Sequence, residues 1–313
     1  MSKVEASSSG VPSTLASINR LPTEILSEII QLTVPPSVFV SRSLSCTPES
    51  AWKSGLRSLK RLVLVSHSWY SAAVEELYRD ISLHRLSQVY SLQRTLNAQP
   101  SLGELIKVLR ITALIHVSEE SWDPSPLLTS IRDIIGLCPN LVRLDVDRDI
   151  SNREHTIFGQ IFAPPFTQLK TLNTLNTPFF FLDYAAHFRA LSSLSVILLD
   201  SPRRETLPDP PRIELPTLRE LRMLFPARSG VPKSLDLITD CWTLPALRDV
   251  SVTACGCERW DPVEVHPFEY YVRFFKRHGA GLRYLSLVFT FARIDSSYGA
   301  WPAPELGGIQ RLL

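Results

Sequence analysis

The sequence predicts an α/β chain in two parts. A three-helix module comes first, followed by an irregular solenoid of short parallel strands with helices and loops on its convex side. Three observations carry this. Leucine accounts for 46 of the 313 residues, an excess over a composition in which it is already common. A template of the form L-x-x-L-x-L recurs seven times, its starts 24 to 35 residues apart, and self-similarity at such a period is the mark of stacked repeats. Ahead of the first copy, the apolar period is helical rather than alternating.

Composition narrows the function classes. Lys and Arg total 33 against 31 for Asp and Glu, a formal charge of +2, so no net field draws the chain to nucleic acid or anionic lipid. The five cysteines, Cys46, Cys138, Cys241, Cys255 and Cys257, are too few and scattered for a disulfide framework, and their odd number suits a reducing compartment. Met1 to Gly10 has no apolar core of the kind a leader needs, and no apolar run reaches membrane-spanning length. The expectation is an intracellular protein, cytoplasmic or nuclear, with no membrane or nucleic-acid partner and no cofactor.

Residues 1–17 are rich in Ser and lack periodicity, and read as a disordered tail. Residues 18–80 read as the helical domain. Leu21 to Leu32 begins with Pro22 in the first turn and Glu24 beside the positive dipole end, with Ile25, Leu26, Ile29 and Ile30 on one face. Pro35-Pro36 stops this helix, and 34–55 read as an inserted loop. A second helix follows, with Leu56, Leu59, Leu62, Val63 and Val65 apolar. Ser66 offers an N-cap to a third, which carries two i, i+4, i+8 rows: Trp69, Ala73, Leu77 and Tyr70, Val74, Tyr78. Three helices this short leave apolar surface for another domain or another protein.

In order, Leu21-Pro22-x-Glu24-Ile25-Leu26-x-x-Ile29-Ile30, Leu59-x-x-Leu62-x-x-Val65-Ser66-x-x-Trp69 and Leu77-Tyr78-Arg79-Asp80-Ile81 resemble an F-box of the kind found in many fungal F-box proteins. The resemblance covers about a fifth of the chain, and the insertion between the first two helices departs from the commonest members, where a short turn stands. It implies docking on a Skp-family adaptor, and through it on cullin and RING subunits. The residues it puts at the adaptor are Leu21, Pro22, Ile25, Leu26, Ile29, Leu59, Leu62, Val65, Trp69, Leu77 and Tyr78, some of which must instead face inward.

From 81 to 313 the chain reads as leucine-rich-repeat-like. The template falls on Ile106–Ile111, Leu141–Val146, Leu169–Thr174, Leu194–Leu199, Leu218–Met223, Leu247–Val252 and Leu282–Leu287, with Ile81-Ser82-Leu83 as a further N-terminal strand. Its leucines fill a continuous core and no single repeat is stable alone. Helical faces lie between strands at Leu127 to Ile135, Leu235 to Trp242 and Phe268 to Phe275, while Leu207 to Ile213 is kept extended by its prolines. An asparagine ladder is absent, so the repeats are degenerate, and Pro304 to Leu313 reads as the helical part of a repeat with no strand after it.

Positions between the core leucines mark the concave face. Arg110, Arg143, Asp145, Asn173, Leu198, Arg222, Ser251, Tyr284 and Ser286 are the candidate contacts to a target protein, whose mixed charge does not suit a phosphate pocket. No phosphate-loop, dinucleotide, nucleophile-elbow or zincin motif occurs. Cys255-Gly256-Cys257 with His266 or His278 lacks zinc-ligand spacing, and Asp145 to Asp149 lacks the glycine and closing glutamate of a calcium loop. His67 and Tyr70 have no evident orienting carboxylate. The expectation is a non-enzymatic substrate-recognition subunit of an SCF-type ubiquitin ligase. The alternative is a protein-binding scaffold in which the N-terminal helices only cap the solenoid.

Overall fold

The computed structural model describes residues 21–33, 51–111, 125–146, 166, 168–173, 185–198, 212–225, 233–255 and 268–290. The expectations for the 1–17 tail, most of the 34–55 insertion, Asp147, Asp149, Thr174, Leu199, 207–211, Cys257, His266 and 304–313 lie outside these residues. The chain divides into two compact units, Met1–Leu77 and Tyr78–Leu313.

The first unit holds α1 (Thr23–Thr33), α2 (Ala51–Leu62) and most of α3 (His67–Arg79). Leu26, Ile30, Leu59, Trp69, Ala72 and Ala73 form its core, with Leu21, Ile29, Leu62, Val63 and Leu77 packed at the margin. The Ser66 hydroxyl accepts from the Trp69 amide at 3.5 Å, a long N-cap bond. Helix α2 starts at Ala51, so residues 51–55 of the expected loop are helical.

The second unit is an α/β structure built on an eight-stranded parallel sheet whose strands lie side by side in chain order. They are β1 (Asp80–Leu83), β2 (Val108–Ile111), β3 (Arg143–Val146), β4 (Thr171–Asn173), β5 (Ser193–Ile197), β7 (Glu220–Phe225), β9 (Asp249–Cys255) and β10 (Tyr284–Thr290). A second parallel pair joins β6 (Ile213–Glu214) to β8 (Trp242–Thr243), so the helical segment expected to reach Trp242 ends at Cys241 and Trp242 begins a strand. Among the connections are α4 (Leu86–Ala98), α5 (Ser125–Gly136), α6 (Lys233–Cys241) and α7 (Phe268–His278). Helix α4 packs on α5, and α6 on α7. Helix α4 was not expected, although Val89, Leu92 and Leu96 lie at helical spacing and are buried.

Register explains why this sequence folds this way. Ile81, Leu109, Leu144, Leu172, Leu194, Leu221, Val250 and Leu285 align across the sheet. Those from Leu109 to Val250 are fully buried, each contributing roughly 2 kcal/mol of apolar transfer. A further column lies three residues before the template starts, apolar at the inner five and glycine at the two ends, Gly103 and Gly279. The amides of Leu141, Leu169, Leu191, Leu218 and Leu247 donate to the carbonyls of Cys138, Phe166, Phe188, Leu215 and Leu244, all five buried. The repeat is therefore φ-x-x-L-x-x-L-x-L.

The register corrects one expectation. The fourth template copy is not Leu194–Leu199 but Leu191-Ser-Ser-Leu194-Ser-Val196, because Leu172 pairs with Leu194 and Leu194 with Leu221. A shift of three residues is odd, and so exchanges the two faces of a strand. Leu198, expected on the open face, is fully buried.

Candidate functional site

Two surfaces hold the sequence-derived site residues, one on each unit. On the first, the core takes Leu26, Leu59 and Trp69 out of the candidate interface: each is buried within the unit. The reason is the helical period. In α1, Leu26 and Ile30 share the inward face while Ile25, Ile29 and Leu32 form the neighbouring stripe at i, i+4, i+7. Ile25 and Leu32 are exposed, Pro22 is exposed, and Leu21, Ile29, Leu62 and Leu77 are half-buried. Between α2 and α3, Leu64 is 84% and Val65 57% exposed. Tyr70 is exposed with its ring stacked on His67, centroids 6.5 Å apart. Leu32, Leu64 and Tyr70 were absent from the adaptor set, although Leu64 breaks the helical period of α2 and so signals an outward turn.

The second surface is the sheet face opposite the buried leucines. Residues there fall in two aligned columns. One runs Asp80, Val108, Arg143, Thr171, Ser193, Glu220, Asp249, Tyr284; the other Ser82, Arg110, Asp145, Asn173, Ser195, Arg222, Ser251, Ser286. At the N-terminal end the charges close on themselves. The Asp145 side chain, 4% exposed, lies 3.4 Å from Arg110 Nε and 3.1 Å from Arg143 Nη2. It also accepts from Arg143 Nε at 3.1 Å and from the Asn173 amide. Arg110, 15% exposed, pairs in turn with Asp80. Asp145 is thus the anchor of a network and is withdrawn from the target-contact set, since its carboxylate has no free surface.

Burial raises the Asp80 carboxyl above its ordinary range, and the Arg110 guanidinium offsets only part of this. Further along, burial alone would raise Glu220, but the Ser193 hydroxyl, 2.7 Å away, and Arg222 outweigh it and hold the carboxyl below its usual range. Arg222 and Tyr284 are the most open of the candidate target residues, while Arg143, Asn173, Ser251 and Ser286 are half-buried.

Elsewhere the chemistry is quiet. Burial pushes the Cys138 thiol up to about 12, so it stays protonated and a poor nucleophile. No group of three His, Cys, Asp or Glu among the described residues could hold a metal ion. No helix among them is long and apolar enough to cross a membrane. Cys255 ends β9.

A cavity of about 270 Å³ lies between the Trp242–Leu247 turn and the end of α7, lined by Arg277 and His278. Burial lowers the His278 imidazole below its usual range and Arg277 adds to this, while hydrogen bonding to the backbone of Thr239 and Ile238 works against it. Its Nε2 is buried without a hydrogen-bond partner among the described residues. The other charged residues on this helix pair are Lys233, Asp236, Asp240, Glu269, Arg273 and Lys276, of which Arg273 pairs with Asp236 and Asp240. Folding favours the neutral ring, so its stabilising effect is complete above the unfolded value near 6.5 and is lost as pH falls through the lower folded value. The thermal midpoint should therefore fall on acidification below about pH 6.5, and His278→Leu should flatten that dependence. A His278→Leu profile parallel to the parent's would exclude this histidine as the source.

Compared with known proteins, the chain matches no protein-family model and no curated protein.

Proposed function

We propose that this chain is a non-catalytic substrate-recognition subunit of an SCF-type cullin-RING ubiquitin ligase. In this reading the N-terminal helices are an F-box that docks on a Skp-family adaptor, and through it on cullin and RING subunits. The strands that follow are degenerate leucine-rich repeats that hold a target protein on their open face.

One observation carries the reading. The N-terminal unit closes a core of its own around Leu26, Ile30, Leu59 and Trp69, yet leaves Ile25, Leu64, Val65 and Tyr70 exposed. A small unit gains nothing in solubility from such side chains, and aromatic and aliphatic anchors on an already folded scaffold suit a protein interface. The sequence order L-P-x-E-I-L, then V-x-x-x-W, adds the resemblance to the F-box.

The adaptor contacts in this reading are Leu21, Pro22, Ile25, Ile29, Leu62, Val65, Leu77 and Tyr78, joined by Leu64 and Tyr70. Capture of a purified Skp-family adaptor by the full chain tests it. Ile25→Asp combined with Val65→Asp should weaken capture about 100-fold, since each places a charge in a desolvated patch. Both positions are exposed, so the helical circular dichroism should be retained. Equal capture by parent and variant, or none by the parent, would defeat the adaptor reading.

A further inference from the structure

The residue between the first leucine of each repeat and its open-face neighbour forms a third column, at the rim where the strands begin. It reads Arg79, Lys107, Val142, Lys170, Ser192, Arg219, Arg248, Arg283. A hydrogen-bonded backbone ladder fixes these residues in line. The amide of Lys107 donates to the carbonyl of Arg79, Val142 to Lys107, Lys170 to Val142, Ser192 to Lys170, Arg219 to Ser192, Arg248 to Arg219 and Arg283 to Arg248, at 2.7–3.0 Å. Six of the eight positions are basic. With strands about 4.8 Å apart, the row runs about 34 Å.

Lys170, Arg219, Arg248 and Arg283 are exposed and Lys107 half-buried, and none of these five side chains has an ion pair among the described residues. The acids beside them in sequence do not serve. Asp80 and Glu220 lie in the open-face column, where they hold Arg110 and Arg222, and Asp249 stands in the same column. Arg219, Arg248 and Arg283 occupy neighbouring strands of the sheet, so three like charges stand about one strand spacing apart with no ion pair among the described residues, an arrangement that costs stability unless a partner offsets it.

We propose that this basic rim binds an extended acidic polypeptide segment, a run of Asp and Glu lying across the strand starts. An extended chain presents same-side carboxylates about 7 Å apart, which lets successive acids reach cations on neighbouring strands. Arginine is suited to carboxylate through its paired donors. A single-stranded nucleic acid would call for aromatic platforms interleaved with the cations, and the column holds none. An anionic membrane would call for apolar side chains able to enter it, and the column offers only Val142. The site stands independently of the adaptor reading; only its use in selecting a target rests on that reading.

Fluorescence anisotropy with the full chain and a labelled 12-residue oligo-glutamate peptide tests it, at about 50 mM and 200 mM salt. Binding should weaken at least tenfold at the higher salt. The triple substitution Arg219→Glu, Arg248→Glu, Arg283→Glu should abolish it, while Arg57→Glu, Lys60→Glu, Arg61→Glu, which changes net charge equally on α2, should not. Equal binding by parent and rim variant, loss with the α2 variant as well, or no peptide binding at the lower salt would overturn the proposal. So would tighter binding of a single-stranded oligonucleotide, or of vesicles rich in anionic lipid, abolished by the same rim variant. Adaptor capture by the rim variant should be unchanged, which separates failure here from failure of the adaptor reading.

Discussion

Gly103→Ala is expected to destabilise the sheet unit by about 3 kcal/mol, the upper end of overpacking costs. Gly103 lies in the 3₁₀ turn Pro100–Leu105 that leads into β2, at the apolar position three residues before Ile106, whose amide donates to its carbonyl. A Cβ there would stand 2.0 Å from the Leu137 carbonyl oxygen and 3.0 Å from its carbon. The obstacle is backbone, held by hydrogen bonds that the Leu137 N–H donates to the carbonyls of Asp133 and Ile134 at the end of α5, so no rotamer change relieves it. Either the turn or the helix end must move, and both belong to the stacking of the first repeats. Gly279 occupies the same place before Leu282, but a Cβ there meets only Phe275 at 3.6 Å and Leu282 at 3.9 Å. Gly279→Ala should therefore be neutral or stabilising by up to about 1 kcal/mol. Chemical denaturation of both variants checks the pair, and equal stabilities would show that the close approach at Gly103 relaxes without cost.

That pair of glycines also shows what the sequence disclosed and what it hid. Parallel strands at Leu109, Leu144, Leu172, Leu221 and Val250 were readable because a buried apolar residue, followed two places on by Ile111, Val146, Met223 or Val252 in four of the five, recurs against a polar background. The fourth strand was misplaced because Leu191, Leu194, Ile197 and Leu199 satisfy the short template in two registers. The longer pattern does not decide between them either, since Leu191, three residues before Leu194, is as buried as Phe188, three before Leu191; the pairing of Leu194 with Leu172 and Leu221 does. Glycine at 103 and 279 disguised the same column at its two ends. Helix α4 was overlooked because its inward residues, Val89, Leu92 and Leu96, are only three among hydroxyl and amide side chains.

The candidate surfaces were legible to a different depth. Apolar positions of α1 to α3 were evident, but which of two adjacent rows turns inward depends on how three helices pack, and pattern alone left Trp69 and Tyr70 equivalent. Trp69 is buried and Tyr70 exposed. On the sheet, the open-face positions carry Arg110, Arg143 and Arg222, all tied to acids. The cations of the rim, which have no ion pair among the described residues, sit one place earlier, before the strands proper, where alternation does not yet apply. Only the backbone ladder brings Lys170, Arg219, Arg248 and Arg283 into one row.

Asp145→Ala is expected to cost about 3 kcal/mol, more than removal of either arginine that it holds. The carboxylate is almost wholly buried and its partners among the described residues include side chains on three adjacent strands: Arg110 on β2, Arg143 on β3 and Asn173 on β4. Its loss leaves the largely buried Arg110 with Asp80 as its one acidic partner among the described residues, an acid that burial has already made harder to ionise, and removes the Asp145 acceptor of the Asn173 amide. Arg143 is more exposed than Arg110 and can turn to water, so Arg143→Ala should cost no more than about 1 kcal/mol. The double variant Asp145→Ala, Arg143→Ala should be no less stable than Asp145→Ala alone, because the two changes share one interaction. Urea denaturation of the three proteins measures all of this. A cost for Asp145→Ala below about 1 kcal/mol would place the network on the surface in energetic terms, returning Asp145 to the residues that a target protein could engage.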